Sequence, residues 1–110
     1  MDHKTTLADL RNAVKKFVAD REWEPYHRSK HLAMSIAIEA AELMEHFQWN
    51  DPEAGQALLD DPGQKKEIAE ELADIFIYCL SFANQAEIDI SEAVMKKLDK
   101  NEFRFPPVKK

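Results

Sequence analysis

The sequence predicts an all-α protein built on four principal helices. Three observations carry this. Only two glycines and five prolines occur in 110 residues, and long stretches contain neither, so few positions break or kink a helix. Apolar residues recur at three- and four-residue spacing in successive segments, the period of a helix with one buried face. No segment of useful length alternates apolar and polar residues as a strand would.

The first helix is predicted from about Leu7 to Asp20, where Leu7, Leu10, Val14, Phe17 and Val18 recur at helical spacing and Thr6 with Asp9 resembles a capping box. An aromatic-rich connection, Arg21 to His27, follows, and Pro25 disfavours helix at Glu24. The second helix is predicted from about Lys30 to Phe47 with Ser29 as N-cap. Its stripe of Leu32, Ile36, Ala40, Leu43 and Phe47 spans about 80° of arc. Trp49-Asn50-Asp51-Pro52 ends it, residues 53–60 form a short surface helix, and Asp61-Pro62-Gly63 breaks the chain again. The third and longest helix is predicted from about Lys65 to Ala86, on the stripe Ile68, Leu72, Ile75, Phe76, Cys79 and Ala83. The fourth starts near Ile90, with Asp89 and Glu92 in capping-box positions, and ends near Asp99; the prolines that follow predict an extended tail from Asn101.

The length suits one domain, residues 1–110, short enough that partner subunits can supply extra burial. Charged residues make up 33% and apolar residues 45%, a globular composition rather than a disordered one. A net charge of -6 argues against nucleic-acid or anionic-membrane partners, because phosphate backbones attract basic surfaces. It permits a phosphate ligand, since a bound metal inverts the local field. The single Cys79 excludes an intrachain disulfide and fits a reducing cytoplasm. Neither a signal peptide nor a membrane span is evident, and the expected location is cytoplasmic.

Two acidic pairs border the apolar stripes: Glu39 with Glu42, and Glu71 with Asp74. An i, i+3 spacing puts both members of a pair on one helix face. Four carboxylates beside a core repel one another unless a cation or a proton intervenes. All-oxygen ligation suits Mg²⁺ or Mn²⁺, which in turn suits a phosphate-bearing substrate. One such pair alone is commonly just a solvated face. The density of Glu67, Glu70, Glu71 and Asp74 on one helix strengthens the metal reading. His46, four residues after Glu42, is placed to sit beside the cluster or to be an ordinary surface histidine. Trp23 and Trp49 flank the second helix; each either plugs the core end or offers a plate for a nucleobase, with Tyr26 and His27 nearby. Lys96, Lys97, Lys100 and Arg104 form a basic run that either offsets the helix dipole or clamps phosphates.

Glu39-Ala-Ala-Glu42 followed by Glu71-Leu-Ala-Asp74 is similar to the ExxE…ExxD signature of the all-α nucleoside triphosphate pyrophosphohydrolases of the MazG type. Four segments most resemble the small dCTP pyrophosphatase branch: Phe17 to His27, Glu42 to Trp49, Glu70 to Tyr78, and Lys97 to Pro106. The match covers about residues 7–107. Phe105 stands where that branch commonly has tyrosine.

The resemblance implies a four-helix bundle-like MazG fold assembled as a homodimer or a dimer of dimers, with part of each pocket, Trp23 and His27 in particular, open to supply in trans. It implies Mg²⁺, with Mn²⁺ possible, held by Glu39, Glu42, Glu71 and Asp74. Trp23, His27, Trp49 and Tyr78 would shape the nucleoside pocket, and Lys97, Asn101 and Arg104 would face the phosphates. The expected activity converts a (d)NTP, with dCTP first in line, to its monophosphate and pyrophosphate. Glu70, or a metal ligand with spare capacity, would serve as general base. The competing readings are a related all-α pyrophosphohydrolase, such as a dUTPase or a phosphoribosyl-ATP hydrolase, and a non-catalytic helical interaction module.

Overall fold

In the computed structural model, which describes residues 1–109, five α-helices and one 3₁₀ turn follow one another. They are α1 (Leu7–Asp20), the 3₁₀ turn Glu24–Tyr26, α2 (Ser29–Glu45), α3 (Pro52–Leu58), α4 (Pro62–Ala86) and α5 (Ile90–Arg104). No strand occurs among the described residues. Nor, among them, is any helix long and apolar enough to cross a membrane.

Side chains at the N-termini explain most helix starts. Thr6 Oγ1 accepts the Asp9 N–H, and the Asp9 carboxylate accepts the Thr6 N–H, closing the expected capping box. Asp51, Asp61 and Asp89 each accept the N–H three residues on, from Ala54, Gln64 and Glu92. Pro52 and Pro62 open α3 and α4, where the N–H that proline lacks has no intrahelical partner anyway. Asp61-Pro62-Gly63 therefore starts α4 instead of interrupting the chain, three residues before the expected Lys65. At Asp89 only half of a capping box forms, because the Glu92 carboxylate pairs with Lys96 Nζ at 2.6 Å.

Two further expectations are corrected. Ser29 is the first residue of α2 and not its cap: Arg28 holds the extended cap conformation, and Ser29 Oγ donates to Gln85 Oε1 at 2.6 Å. The segment from Asn101 is helical up to Arg104. Pro106 restricts only Phe105, the residue before it, so nothing before that stops the helix.

The two longer helices α2 and α4 run antiparallel. Ser29 at the start of α2 meets Gln85 near the end of α4, and His46 just past α2 meets Glu71. Leu32 (1% exposed) and Ala83 (0%) are sealed by the packing. Truncating a fully buried leucine such as Leu32 costs about 2–5 kcal/mol. The second main packing is α1 on α4, through Val14, Val18 and Leu80, with Leu7 against them. A polar latch fastens the same pair: Arg11 Nε donates to Asn84 Oδ1 (3.0 Å), Arg11 Nη1 to the Ile88 carbonyl (2.6 Å), and Asn84 Nδ2 to the Arg11 carbonyl (3.0 Å). Glu87, at φ 55°, turns the chain into the left-handed region so that the Ile88 N–H reaches back to the Ala83 carbonyl and ends α4.

The fourth long helix does not complete a bundle within one chain. None of α5's residues is buried, and Val94, Leu98 and Phe103 are exposed. The accessible surface is 9191 Å², against about 6,200 Å² expected for a compact monomer of this mass. The radius of gyration is 16.8 Å, where a compact chain of this length has about 13 Å. The helices are present as predicted, but much of their apolar surface has no cover within one protomer.

Asn84→Ala removes two of the latch hydrogen bonds and strands the Arg11 guanidinium. It should lower stability by about 1–3 kcal/mol in urea unfolding. An unchanged midpoint would mean that the latch contributes nothing to α1 docking.

Candidate active site

The antiparallel register brings the two acidic pairs towards each other. Glu39 and Glu42 project from α2, and Glu71 from α4 stands opposite. One carboxylate oxygen from each lies within 4.8 Å of the others. Glu39 and Glu71 are half-buried and Glu42 is exposed. Asp74, the fourth expected ligand, is exposed and stands outside this three-oxygen group. Its charge is nevertheless felt by both Glu39 and Glu71. Glu70 is exposed and also stands outside the group.

The cluster is electrostatically strained. Both Glu39 and Glu71 are pushed above the ordinary carboxylate value, first by burial, then by hydrogen bonding with Glu42, and then by the neighbouring negative charges. His46, whose Nε2 lies 3.8 Å from Glu71 Oε1, opposes the rise at Glu71. Glu39 Oε2 and Glu71 Oε2 are buried without a hydrogen-bond partner among the described residues. Buried acceptors without donors are costly, and a cation would satisfy both. An all-oxygen donor set of this kind fits a hard divalent ion such as Mg²⁺ or Mn²⁺. A hollow of about 290 Å³ lined by Glu42, Glu45, His46 and Glu71 opens beside it.

A second group forms further along α4. Tyr78 lies one turn beyond Asp74, and its ring sits 6.2 Å from that of His27. His27 in turn stacks on Trp23 at 6.1 Å and 24°. Phe17 buttresses Trp23 edge-on at 5.7 Å, and the Arg21 guanidinium lies 3.6 Å over the Phe17 ring. Three of the four residues expected around a nucleoside are therefore brought together within one chain, so Trp23 and His27 stand beside their own Tyr78 and not only a neighbouring subunit's. Trp49 is not among them: it is 88% exposed just past α2, which removes the core-plug reading for it. Lys97 and Arg104 are exposed on α5 and Asn101 is half-buried. The Arg104 guanidinium rests 5.1 Å over the adjacent Phe105 ring. Among the described residues no ion pair joins Lys97 or Arg104 to the carboxylates.

One residue near this group escaped the sequence reading. Ser81 is buried, and its Oγ lies 3.1 Å from His27 Nδ1. The available signal was its position ten residues after Glu71, on the helix face that also carries Asp74 and Tyr78. Cys79 is half-buried and its thiol is pushed up by burial, which suits an inert packing group and not a nucleophile.

Raised carboxylate values have a definite consequence for stability. Glu39 and Glu71 bind protons more tightly in the folded, metal-free protein than in an unfolded chain. Their contribution is complete below the ordinary value of 4.5 and is lost as pH rises through the raised values. Mg²⁺ competes with those protons, so the rise in Tm on adding Mg²⁺ should be larger at about pH 8 than at about pH 5. Differential scanning calorimetry at both values checks this; equal shifts would exclude these carboxylates as the ligands.

The MazG-like family pattern matches residues 34–110. dCTP pyrophosphatase 1 of Bos taurus is 36% identical over 101 residues, covering 92% of this chain and 60% of that protein. Its Homo sapiens counterpart is 36% identical over 102 residues, with 92% and 59% coverage. The chain thus spans about 60% of the length of the curated relatives it matches. The structure superposes on that of a pyrophosphatase from Archaeoglobus fulgidus DSM 4304 with a TM-score of 0.84 and 40% identity, covering 91% of this chain and 92% of that one. With Glu39 and Glu42 facing Glu71 in an all-helical architecture, this chain belongs to the MazG-like family.

Proposed function

We propose that the protein is a Mg²⁺-dependent nucleoside triphosphate pyrophosphohydrolase that converts a (deoxy)nucleoside triphosphate to its monophosphate and pyrophosphate. The observation that carries this is the convergence of Glu39, Glu42 and Glu71 within 4.8 Å, in a chain of the MazG-like family. The names of the relatives support dCTP as the preferred substrate. Clearance of surplus or non-canonical dNTPs is the corresponding role. Its single thiol, Cys79, supports a cytoplasmic setting, and residues 7–107 would act as one catalytic domain.

Glu39, Glu42, Glu71 and Asp74 would hold the metal. When bound, the ion neutralises phosphate charge and acidifies a water. Water adds across the anhydride link between the α- and β-phosphorus, that link breaks, and pyrophosphate leaves with the bonding electron pair. The water's proton passes to a carboxylate not committed to the metal; Glu70, exposed and adjacent to Glu71, is the candidate. Trp23, His27 and Tyr78 form the aromatic wall that would hold the nucleoside, a role in which stacking contributes about 1–3 kcal/mol per base.

The large uncovered apolar surface supports assembly as a homodimer or homotetramer. A second copy would also explain how the exposed Trp49 and the α5 residues Lys97, Asn101 and Arg104 come to complete a pocket.

Glu71→Gln should abolish pyrophosphate release from dCTP and remove the Mg²⁺-induced rise in Tm while circular dichroism stays helical. Normal turnover in this variant would refute the metal assignment. Glu70→Gln should lower kcat by roughly 10²–10⁴-fold with Mg²⁺ binding retained. Trp49→Ala should raise KM by about ten- to a hundredfold with a smaller effect on kcat. In sedimentation analysis the protein should be a dimer or larger, and its Tm should rise with protein concentration; a stable, active monomer would contradict the assembly.

A further inference from the structure

Among the described residues Ser81 is the one buried polar side chain, 6% exposed. Alanine would fill that position in α4 with no polar atom to satisfy. A buried hydroxyl costs free energy unless it is bonded, and here it lies 3.1 Å from His27 Nδ1. On α4, Glu71, Asp74, Tyr78 and Ser81 fall within about 80° of arc, with about 15 Å of rise from first to last. Ser81 thus sits on the face that carries the carboxylates and the aromatic wall, at its far end.

The His27 ring is held by Trp23 on one side (6.1 Å) and Tyr78 on another (6.2 Å). Flat contacts of this kind do not distinguish the ring's two orientations. Rotation by half a turn about Cβ–Cγ exchanges a nitrogen for a carbon at nearly the same shape, and that torsion is intrinsically two-fold. The ring also borders a hollow of about 180 Å³, lined among others by Val18, Ala19 and Ser81, so packing on that side does not oppose a flip. The hydrogen bond at Nδ1 does.

We propose that Ser81 is a positioning residue: its hydroxyl fixes the His27 ring through Nδ1, leaving Nε2 as the nitrogen presented to the nucleoside. This rests on the nucleotide-pocket reading above. Without the hydroxyl the ring divides between two orientations. Only the fraction with the correct edge presented binds substrate, and the apparent affinity falls in proportion to that fraction.

The test combines steady-state kinetics on dCTP with Mg²⁺ and nitrogen-15 NMR of the His27 ring, on the full chain and on Ser81→Ala, Ser81→Thr, His27→Ala and the Ser81→Ala/His27→Ala double variant. Ser81→Ala should raise KM about twofold, the value for a ring divided evenly between two orientations, with kcat unchanged. Ser81→Thr, which keeps the hydroxyl, should restore most of the loss. In the His27→Ala background Ser81→Ala should add nothing, whereas a merely structural role would carry its effect over unchanged. The Nδ1 resonance should shift or broaden in Ser81→Ala alone. An unchanged KM and ring spectrum in Ser81→Ala, or an additive effect in the double variant, overturns the proposal. If the unaltered protein hydrolyses no nucleotide, the functional reading fails, and the NMR arm still decides whether Ser81 holds the ring.

Discussion

Antiparallel packing of α2 on α4 is the constraint on which the rest depends. It seals Leu32 in the core and in the same register drives Glu39 and Glu42 against Glu71. Apolar burial thus holds together carboxylates that would otherwise separate. The strain appears in the raised proton affinities of Glu39 and Glu71 and in their two unpartnered buried oxygens. The packing does not relieve that repulsion; it holds a site whose charge balance awaits a cation or protons.

The long helix α4 organises the site as well as the core. Its rise spreads the carboxylates, Tyr78 and Ser81 over about 15 Å of one face, a span on the scale of an extended nucleotide. The 3₁₀ turn before α2 then folds Trp23 and His27 back onto the Tyr78 and Ser81 end. Phosphate chemistry and nucleoside recognition would therefore occupy opposite ends of one surface, held in fixed register by one helix. The latch of Arg11 and Asn84 fastens α1 near the aromatic end, so Phe17 is in place to buttress Trp23.

One protomer leaves this design open. α5 buries none of its residues, and the exposed surface exceeds that of a compact monomer by about half. Among the described residues Lys97 and Arg104 of α5 pair with no carboxylate, and Trp49 stands exposed. A homo-oligomer covering those faces would account for both features together.

Local sequence determined the helices and most of their ends. The Thr6–Asp9 box and the helical period are short-range signals, readable because each acts within one turn. Misreadings arose where one local signal had two meanings. Pro62 serves a helix start as well as it breaks one, and Pro106 stops α5 only at Phe105. Ser29 has a cap's chemistry, but Gln85, 56 residues on, takes its hydroxyl. Spacing alone marked the acidic pairs, since i, i+3 is a property of one helix. Their convergence, the exclusion of Asp74 and Glu70 from the tight group and the bond from Ser81 to His27 depend on how α2, α4 and the 3₁₀ turn before α2 pack. Those distances are set between residues dozens of positions apart, and only the tertiary structure decides them.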